Sequence, residues 1–283
     1  MAQSILNVHC ISRKTDLFRG FLIITFIFAT ILYFLVPNQM RFLILGLDEG
    51  LGRNKVGNTD TIILVSISSL NRNMVMMSIP RDLWIPISDQ EENHIGVVYT
   101  IAEIKETGKG PDAVTALVNK SFQIPVHYYI LVKMQGFISI VDSLGGVDIM
   151  LSQPMAGYPV GITHLDGQAA LAFARDRSKT DDFSRMLQAQ ILIKAIINQI
   201  FKVKTWGKLP QILNAVRGAI EGNIPFSEWP RFAFMIMRSY LNGMDGYTIT
   251  RDMVSPTTNS RGEQVIEPDW SKIRTLTLTI FDK

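Results

Sequence analysis

The sequence predicts an α/β protein: an α-β-α layered domain with a mixed central sheet, preceded by one N-terminal transmembrane helix. Three observations support this fold class. An uncharged apolar run, Gly20–Val36, ends at Pro37. After it, short apolar segments rich in β-branched residues are interspersed with longer segments of helical periodicity. Glycine, proline and polar clusters separate these segments, as expected where strands and helices alternate in layers.

The N-terminal apolar run predicts a membrane anchor. Its length, about 17 residues, is at the short end of the range for a helix that spans a bilayer. Arg13, Lys14 and Arg19 precede it, which places the N-terminus in the cytoplasm by the positive-inside rule. Pro37 and polar residues follow the run where a signal peptide would show a small-x-small cleavage site. An uncleaved anchor is therefore favoured over a signal peptide.

The anchor divides the chain into three predicted parts. They are a cytoplasmic tail at 1–19, the anchor at 20–36 and an extracytoplasmic domain at 41–283. Only Asn38-Gln39-Met40 separates the anchor from the first predicted strand. We therefore expect a single-pass membrane protein whose domain lies against the membrane surface, where a lipid-linked substrate is within reach.

Composition argues against nucleic-acid binding, an intramolecular disulfide and a histidine metal site. The 283 residues include 28 Lys and Arg and 25 Asp and Glu, a net charge of +3, and no basic run is long enough to bind nucleic acid. Cys10 is the only cysteine, so no intramolecular disulfide can form. The four histidines show no metal-ligand spacing.

A β-hairpin is predicted early in the domain. Thr61–Ile67 and Met74–Ile79 are apolar runs, and the polar segment 68–73 between them has the composition of a turn. Pairing these two strands antiparallel about the middle of the turn places Asp60 opposite Arg81.

The remaining elements alternate between strands and helices. In chain order they are strand Arg41–Leu47, helices Tyr99–Glu106 and Pro111–Ser121, strand Val126–Val132, helix Gln135–Leu144, strand Val147–Leu151, helix Gly167–Leu171, a strand through Phe173–Arg177, and helices Arg185–Phe201, Leu209–Ile220 and Pro230–Leu241. Pro111 suits a first helical position, Gly145-Gly146 a left-handed helix end, and Asp166 a helix N-cap. The long helix Arg185–Phe201 repeats apolar residues every three or four positions.

Charged residues at the strand ends suit a site for metal-bound phosphate. Asp48 and Asp60 flank apolar strands, and Arg81 is predicted opposite Asp60, although an ordinary cross-strand ion pair is the alternative interpretation. Side chains alternate along a strand, so Arg175 and Arg177 are expected to share one face, where like charges repel unless an anion neutralises them. Arginine forks hold phosphate oxygens, and a hard cation takes carboxylate ligands.

Seven short motifs, in order along the chain, resemble the LytR–CpsA–Psr family. They are Leu43-Ile-Leu-Gly-Leu-Asp48, Thr59-Asp60-Thr61, Ser78-Ile-Pro-Arg-Asp82, Val141-Asp-Ser-Leu-Gly-Gly-Val147, Leu165-Asp-Gly167, Ala174-Arg-Asp-Arg177 and Asp182-Phe-Ser-Arg185. Each string alone is weak, but seven in order behind an apolar anchor are a specific pattern. The resemblance covers about Arg41 to Ile200 of the chain.

The resemblance implies a bacterial enzyme anchored in the cell membrane with its domain outside the cytoplasm. Such enzymes have an α-β-α fold and move a glycopolymer phosphate from a polyprenyl pyrophosphate carrier to peptidoglycan. The implied partners are therefore the lipid-linked glycan, peptidoglycan and the cytoplasmic membrane, with no nucleic acid. The family's apolar helices also enclose the polyprenyl chain.

The resemblance also implies roles for particular residues. Asp48 and Asp60 would hold Mg²⁺, with Mn²⁺ as an alternative ion, and would act in catalysis together with Arg81. The residues implied in substrate binding are Arg81, Arg175, Arg177, Asp182 and Arg185. Asp182 has an alternative role as the N-cap of the long helix. Whether Asp48 or Asp60 acts as the general base is left open.

The sequence departs from the family at the start of the long helix. Where the family usually has Arg-x-x-Arg-Gln-Gln, Gln188 replaces the second arginine and Ala189 replaces a glutamine, while Gln190 fits the pattern. The first change removes a charge-assisted hydrogen-bond donor from the predicted phosphate site, and the second removes an amide. A non-catalytic scaffold that binds polyprenyl pyrophosphates therefore stands as an alternative function, and a lipid-carrier pyrophosphatase as a third.

Overall fold

The computed structural model describes residues 19, 21–28, 30, 32–34, 39–48, 57–68, 73–88, 91–176, 182–259 and 262–281, with residue 182 described in its backbone only. The chain divides into two units, Met1–Asn38 and Gln39–Lys283. In the first unit the described residues are helical. Among the helices that the described residues form, none has the length and apolar character needed to cross a bilayer. The predicted anchor at 20–36 lies partly outside the described residues and stays a prediction.

The second unit contains a six-stranded mixed sheet and three two-stranded sheets. Its strands are β1 (Gln39–Asp48), β2 (Asn58–Ser68), β3 (Met74–Ile79), β4 (Trp84–Pro86), β5 (Glu92–His94), β6 (Tyr128–Lys133), β7 (Val147–Leu151), β8 (Gly161–Leu165), β9 (Ile220–Gly222), β10 (Met244–Thr248), β11 (Val254–Thr258) and β12 (Gln264–Pro268). The large sheet has the order β10-β3-β2-β1-β6-β9, and β4–β5, β7–β8 and β11–β12 form the small sheets. Within the large sheet β1 is antiparallel to β2 and parallel to β6, which confirms the predicted mixed sheet.

Helices cover both faces of the large sheet. They are α1 (Val98–Lys105), α2 (Gly110–Phe122), α3 (Met134–Ser143), α4 (Gly167–Arg175), α5 (Asp182–Ile200), α6 (Val203–Trp206), α7 (Leu209–Ala219), α8 (Trp229–Asn242) and α9 (Trp270–Phe281). Because side chains alternate along a strand, Leu43 and Leu45 pack on one face against α1, α2 and α9. Phe42, Ile63 and Val65 pack on the other face against α5 and α8. The predicted α-β-α layering is therefore confirmed.

The predicted hairpin is present, and its register places Asp60 opposite Arg81. Strands β2 and β3 are antiparallel, with Ile62 opposite Ile79. The pairing of β2 with β1 is interrupted at the same point, because Thr61 lies opposite Gly46 while Thr59 lies opposite Leu47. Asp60 is thus the extra residue of a β-bulge. A bulge bends the strand and redirects the side chain that it carries.

Several predicted helix ends are confirmed. Asp166 caps α4, because its Oδ1 accepts a hydrogen bond of 2.8 Å from the backbone N–H of Ala169. Gly145 and Gly146 follow α3 with φ angles of 77° and 85°, the left-handed conformation expected of a glycine helix end. Strands β3 and β7 begin and end where the sequence predicts, and most other predicted boundaries differ by one to three residues.

The predicted strand through Phe173–Arg177 is wrong. Helix α4 continues past Leu171 to Arg175, and Asp176 is its C-cap. The segment contains four alanines between Gly167 and Arg175, and alanine has the highest helix propensity. Arg175 therefore projects from the last turn of a helix, and the expectation that it shares one strand face with Arg177 does not hold. Arg177 lies outside the described residues.

Candidate functional site

A cavity of about 360 Å³ lies between the large sheet and the helices on one of its faces. Most of its lining is apolar and comes from strands β1, β2, β3 and β6 on one side and from helices α3, α5, α7 and α8 on the other. Representative lining residues are Ile44, Ile63, Ile130, Leu192, Ile196 and Phe232. An apolar space of this kind suits a hydrocarbon chain.

Six charged side chains line the same cavity, and they define the charged cluster. They are Asp48, Asp60, Arg81, Lys133, Arg175 and Arg185. The sheet topology brings them to one edge, because the parallel strands β1 and β6 both end there, β2 begins there and Arg81 follows the end of β3. Arg185 lies in the first turn of α5, and Arg175 in the last turn of α4. Four cations and two carboxylates face the cavity, while Asp82 and Glu221, which pair with Arg81 and Lys133, lie outside the lining. The excess of cations that face the cavity favours an anionic ligand.

Asp60 and Arg81 form the closest contact in the charged cluster. Arg81 donates a hydrogen bond from Nη1 to Asp60 Oδ1 at 2.5 Å, and both side chains are about three-quarters buried. The backbone near Arg81 is also held closely, since the N–H of Gly96 donates to the Arg81 carbonyl at 2.9 Å. A side chain at position 96 would come within 3.0 Å of the carbonyl oxygens of Arg81 and Thr59. Glycine at 96 thus lets the loop approach and fix the Arg81 backbone.

Asp48 and Arg175 form a second, longer pair. Arg175 Nη2 lies 3.5 Å from Asp48 Oδ2, and Arg175 Nη1 lies 3.5 Å from the sulfur of Met134. The helical position of Arg175 therefore still delivers its guanidinium to the end of β1. Because the pair is long and half of the arginine is exposed, the guanidinium can reorient towards an incoming anion at small cost.

Lys133 belongs to the charged cluster although the sequence interpretation missed it. It is the last residue of β6, lies opposite Leu47 of β1, and its Nζ is 2.9 Å from Glu221 Oε1. The signal in the sequence was a basic residue directly after the predicted strand Val126–Val132. Only the parallel pairing of β6 with β1, which is a tertiary feature, brings that strand end beside Asp48.

The two departures from the family pattern on α5, and the neighbouring Gln190 that fits the pattern, occupy three different environments. Ala189 lines the cavity, and Gln188 is completely buried with no hydrogen-bond partner for its amide among the described residues. Gln190 donates from Nε2 to Ser78 Oγ at 2.7 Å and to the Tyr247 carbonyl at 2.6 Å. Gln190 therefore fastens α5 to β3 and β10, and its role is structural. For Asp182 the structure describes only the backbone, as the first residue of α5.

The two carboxylates of the charged cluster fit a magnesium site only together with a phosphate ligand. No group of three or more His, Cys, Asp or Glu side chains that could hold a metal occurs in the part of the chain that the structure describes. Magnesium, however, commonly uses one or two protein carboxylates and completes its octahedron with phosphate oxygens and water. Asp48 and Asp60 supply such a pair, so the chemistry of the donors is compatible with the predicted ion.

Comparisons with known proteins support the fold and the family. A polyisoprenyl-teichoic acid–peptidoglycan teichoic acid transferase, TagU of Oceanobacillus iheyensis, is 30% identical over 193 residues, 66% of this chain and 59% of the relative. TagU of Bacillus cereus is 29% identical over 73% of this chain and 66% of the relative. The chain thus spans about three-fifths to two-thirds of the length of these curated relatives.

Solved structures share the fold at low sequence identity. Protein gbs0355 of Streptococcus agalactiae has a TM-score of 0.69 and 21% identity, covering 87% of this chain and 89% of that one. A structure of TagT bound to LIIa-WTA has a TM-score of 0.67 and 19% identity, covering 87% and 90%. The model of the LytR_cpsA_psr family matches residues 34–277, which include the whole cavity and the charged cluster. The chain therefore belongs to the LytR_cpsA_psr family.

Proposed function

We propose that this chain is a membrane-anchored phosphotransferase that moves a glycopolymer phosphate from a polyprenyl pyrophosphate carrier to peptidoglycan. The observation that carries the proposal is the composition of the cavity. A long apolar lining ends at four cations and two carboxylates, so one cavity complements both the hydrocarbon tail and the phosphate groups of a single lipid. The relatives named as teichoic acid transferases, and TagT bound to LIIa-WTA, support the same substrate class.

The charged cluster accounts for the chemistry as positioning and charge stabilisation. Arg81, Arg175 and Lys133 would hold the pyrophosphate oxygens and offset the charge that grows on the departing lipid phosphate. Their present partners are carboxylates, so substrate phosphates would take over contacts that already exist. Arginine forks suit this exchange because phosphate and carboxylate accept the same bidentate geometry. An acceptor hydroxyl on peptidoglycan would then attack the phosphorus that the arginines hold.

Asp48 and Asp60 are the proposed ligands of Mg²⁺. When bound, the ion would supply Lewis-acid stabilisation of the phosphate oxygens. A carboxylate that binds the metal is not free to take the proton of the acceptor hydroxyl, so either residue would act as the general base only when it does not hold the ion. Asp60 has a second function in this arrangement, because its hydrogen bond holds the guanidinium of Arg81 towards the cavity.

A non-catalytic lipid-binding scaffold is the second candidate. It is favoured by Ala189, which lines the cavity without any polar group, and by Gln188, which is buried away from solvent. Position 188 lacks the positive charge that the family pattern implies, and position 189 lacks the amide. The three arginines Arg81, Arg175 and Arg185 remain in the charged cluster, and on this ground we favour the enzyme.

A single-turnover assay distinguishes the candidates. The full chain in detergent is mixed with a polyprenyl pyrophosphate-linked sugar labelled in the sugar phosphate, with and without peptidoglycan. Label that appears on peptidoglycan supports the transferase. Phosphate released without an acceptor would indicate a pyrophosphatase, and intact lipid retained by the protein would indicate a scaffold. The assay is repeated with Arg81→Ala. Its matched control is Arg274→Ala, because Arg274 is an exposed arginine on α9 outside the cavity lining.

A further inference from the structure

The end of the domain opposite the charged cluster carries a surface with unusual composition. Strands β1, β3 and β6 begin at this end, and α5 ends there, because all of them run between the two ends of the sheet. Apolar side chains line the cavity at this end. Phe232 of α8 stacks edge-to-face on Phe42, with ring centroids 5.4 Å apart, and Ile200 completes the lining.

The segment Lys202–Leu213 begins shortly after α5 ends and carries several exposed apolar side chains. Val203 is 83% exposed and Trp206 63% exposed, and both Leu209 and Leu213 are exposed by about half. Solitary exposed apolar residues are normal, but four of them within eleven residues form a patch.

The charge of the same segment has one sign. Lys202, Lys204 and Lys208 alternate with the apolar residues, and no acidic residue occurs from 202 to 220. Lys204 and Lys208 form no ion pair within the described part of the chain, whereas Lys202 contacts Asp148 Oδ2 at 2.6 Å. Alternating lysine and aromatic or aliphatic side chains are typical of protein segments that lie in a bilayer interface.

The outer face of the β7–β8 hairpin extends this surface. Asp148 and Met150 point to the same side of β7, since residues two apart share a face. Met150 lies opposite Ile162 of β8, and both side chains are about two-thirds exposed. The ion pair of Asp148 with Lys202 joins the hairpin to the Lys202–Leu213 segment, so the two apolar areas are adjacent.

We propose that the Lys202–Leu213 segment, together with Met150 and Ile162, binds the surface of a bilayer that contains anionic lipids. Trp206 and the aliphatic side chains would enter the headgroup region, and the lysines would contact lipid phosphates. A second copy of the chain is a poorer occupant, because a symmetric interface would bring these lysines together. The chain also enters the domain at this end, where β1 begins at Gln39.

The proposed membrane-binding surface adds to the proposed function, and its role in delivering the lipid tail rests on that function. If the ligand of the cavity is a polyprenyl lipid, its tail lies in the apolar part of the cavity, next to the proposed membrane-binding surface. Bilayer contact at this end would let the tail pass from the membrane to the cavity while the charged cluster faces away towards the cell wall. The binding of the surface to lipid is nevertheless measurable without any transfer reaction.

The test uses the full chain reconstituted into vesicles, with Cys10→Ser as background and one new cysteine for a fluorescent label. Gln211→Cys places the label on α7 within the surface, and Asn58→Cys places it at the exposed start of β2, opposite Asp48 at the edge that carries the charged cluster. Vesicles contain phosphatidylcholine alone or with phosphatidylglycerol, plus a lipid that carries a quencher in its acyl chain. We expect strong quenching at 211, greater with phosphatidylglycerol, and weak quenching at 58.

Charge reversal supplies the second arm of the test. Lys204→Glu with Lys208→Glu should reduce the extra quenching at 211 about tenfold in anionic vesicles, since each basic residue near the surface contributes to binding. Equal quenching at both sites, or quenching that charge reversal leaves unchanged, would overturn the proposal. Energy transfer between labelled copies without lipid quenching would assign the surface to self-association and also overturn it. Transfer activity measured in the same vesicles separates this result from failure of the proposed function.

Discussion

Arg81 donates a 2.5 Å hydrogen bond to Asp60, and Asp60 is the residue that a β-bulge leaves without a partner on β1. The bulge and the hairpin register together aim the carboxylate at the arginine. Asp60 and Arg81 both line the cavity. Asp60 thus combines the bulge position, the contact with Arg81 and access to the cavity, so its substitution tests the site directly.

Asp60→Asn should separate metal use from lipid retention. Asparagine keeps the size and one acceptor of aspartate but removes the negative charge that Mg²⁺ requires. We expect transfer to fall by orders of magnitude while the lipid stays bound through Arg81, Arg175 and Lys133. Initial transfer rates across a Mg²⁺ series check this. A variant that retains both the wild-type rate and the wild-type Mg²⁺ dependence would leave Asp60 as a structural partner of Arg81 only.

Arg81→Ala and Arg175→Ala should weaken binding of a polyprenyl pyrophosphate. Each removes a charge-assisted donor, so the loss is about 1.5–3 kcal/mol, or roughly tenfold to a hundredfold in Kd. Arg274→Ala should bind as the wild type does. Equilibrium binding of a fluorescent lipid analogue measures all three variants, and unchanged affinity for both cavity variants would contradict the site.

Gly246→Ala should destabilise the domain by about 0.5–1.5 kcal/mol, since the Gln190 side chain must move and weaken a hydrogen bond to make room for the methyl group. The added Cβ would lie 2.1 Å from Oε1 of Gln190, the side chain that fastens α5 to β3 and β10. Gly218→Ala is the matched control, because its Cβ meets no atom within 4 Å and alanine favours the helix. Thermal unfolding should show a lower Tm for the first variant and an equal or higher Tm for the second. Equal Tm values for both variants would show that Gln190 repacks freely.

The Asp148 carboxylate should make stability depend on acid pH. Its hydrogen bonds to Lys202 and then to His164 hold the pKa of Asp148 below its ordinary value of 3.8. A lowered pKa means that the contacts stabilise the fold above that value and are lost as pH falls through the folded pKa. Asp148→Asn should cost up to about 1 kcal/mol at pH 7, since these groups are partly exposed.

The pH dependence has a matched control. Asp112 lies 3.9 Å from Lys109 with both side chains more than half exposed, so Asp112→Asn should change the free energy of unfolding very little. Urea unfolding at pH 7 and pH 3 compares the two variants with the wild type. The cost of Asp148→Asn should shrink at pH 3, and a cost that stays constant between the two pH values would refute the assignment.

Membrane topology is tested with a thiol reagent that does not cross membranes. With Cys10→Ser as background, a cysteine at Glu91, an exposed residue before β5, should react on intact cells if the domain is extracytoplasmic. A cysteine returned at position 10 should react only after lysis. The reverse pattern would place the domain in the cytoplasm and would remove peptidoglycan as an acceptor.

Local patterns in the sequence determined much of the sheet and helix content. The hairpin register followed from two apolar runs around a polar turn, because side-chain alternation and turn position leave one pairing that buries both strands. That register is enough to place Asp60 opposite Arg81. Gly145, Gly146 and Asp166 marked helix ends in the sequence. The preference of glycine for a left-handed helix end and of aspartate for an N-cap depends only on the few neighbouring backbone groups.

Only the tertiary structure decided the rest of the site. Nothing local shows that β6 runs parallel to β1, and that pairing alone brings Lys133 to the charged cluster. The short strands β9 and β10 pair with β6 and β3, which are far away in the chain. Their own sequences show little of the alternation between apolar and polar residues that predicts a strand. Arg175 was expected on a strand and lies on a helix, yet it reaches Asp48 because the packing of α4 sets its direction. Local sequence sets which backbone forms are favourable, whereas contacts between residues far apart in the chain decide which side chains meet.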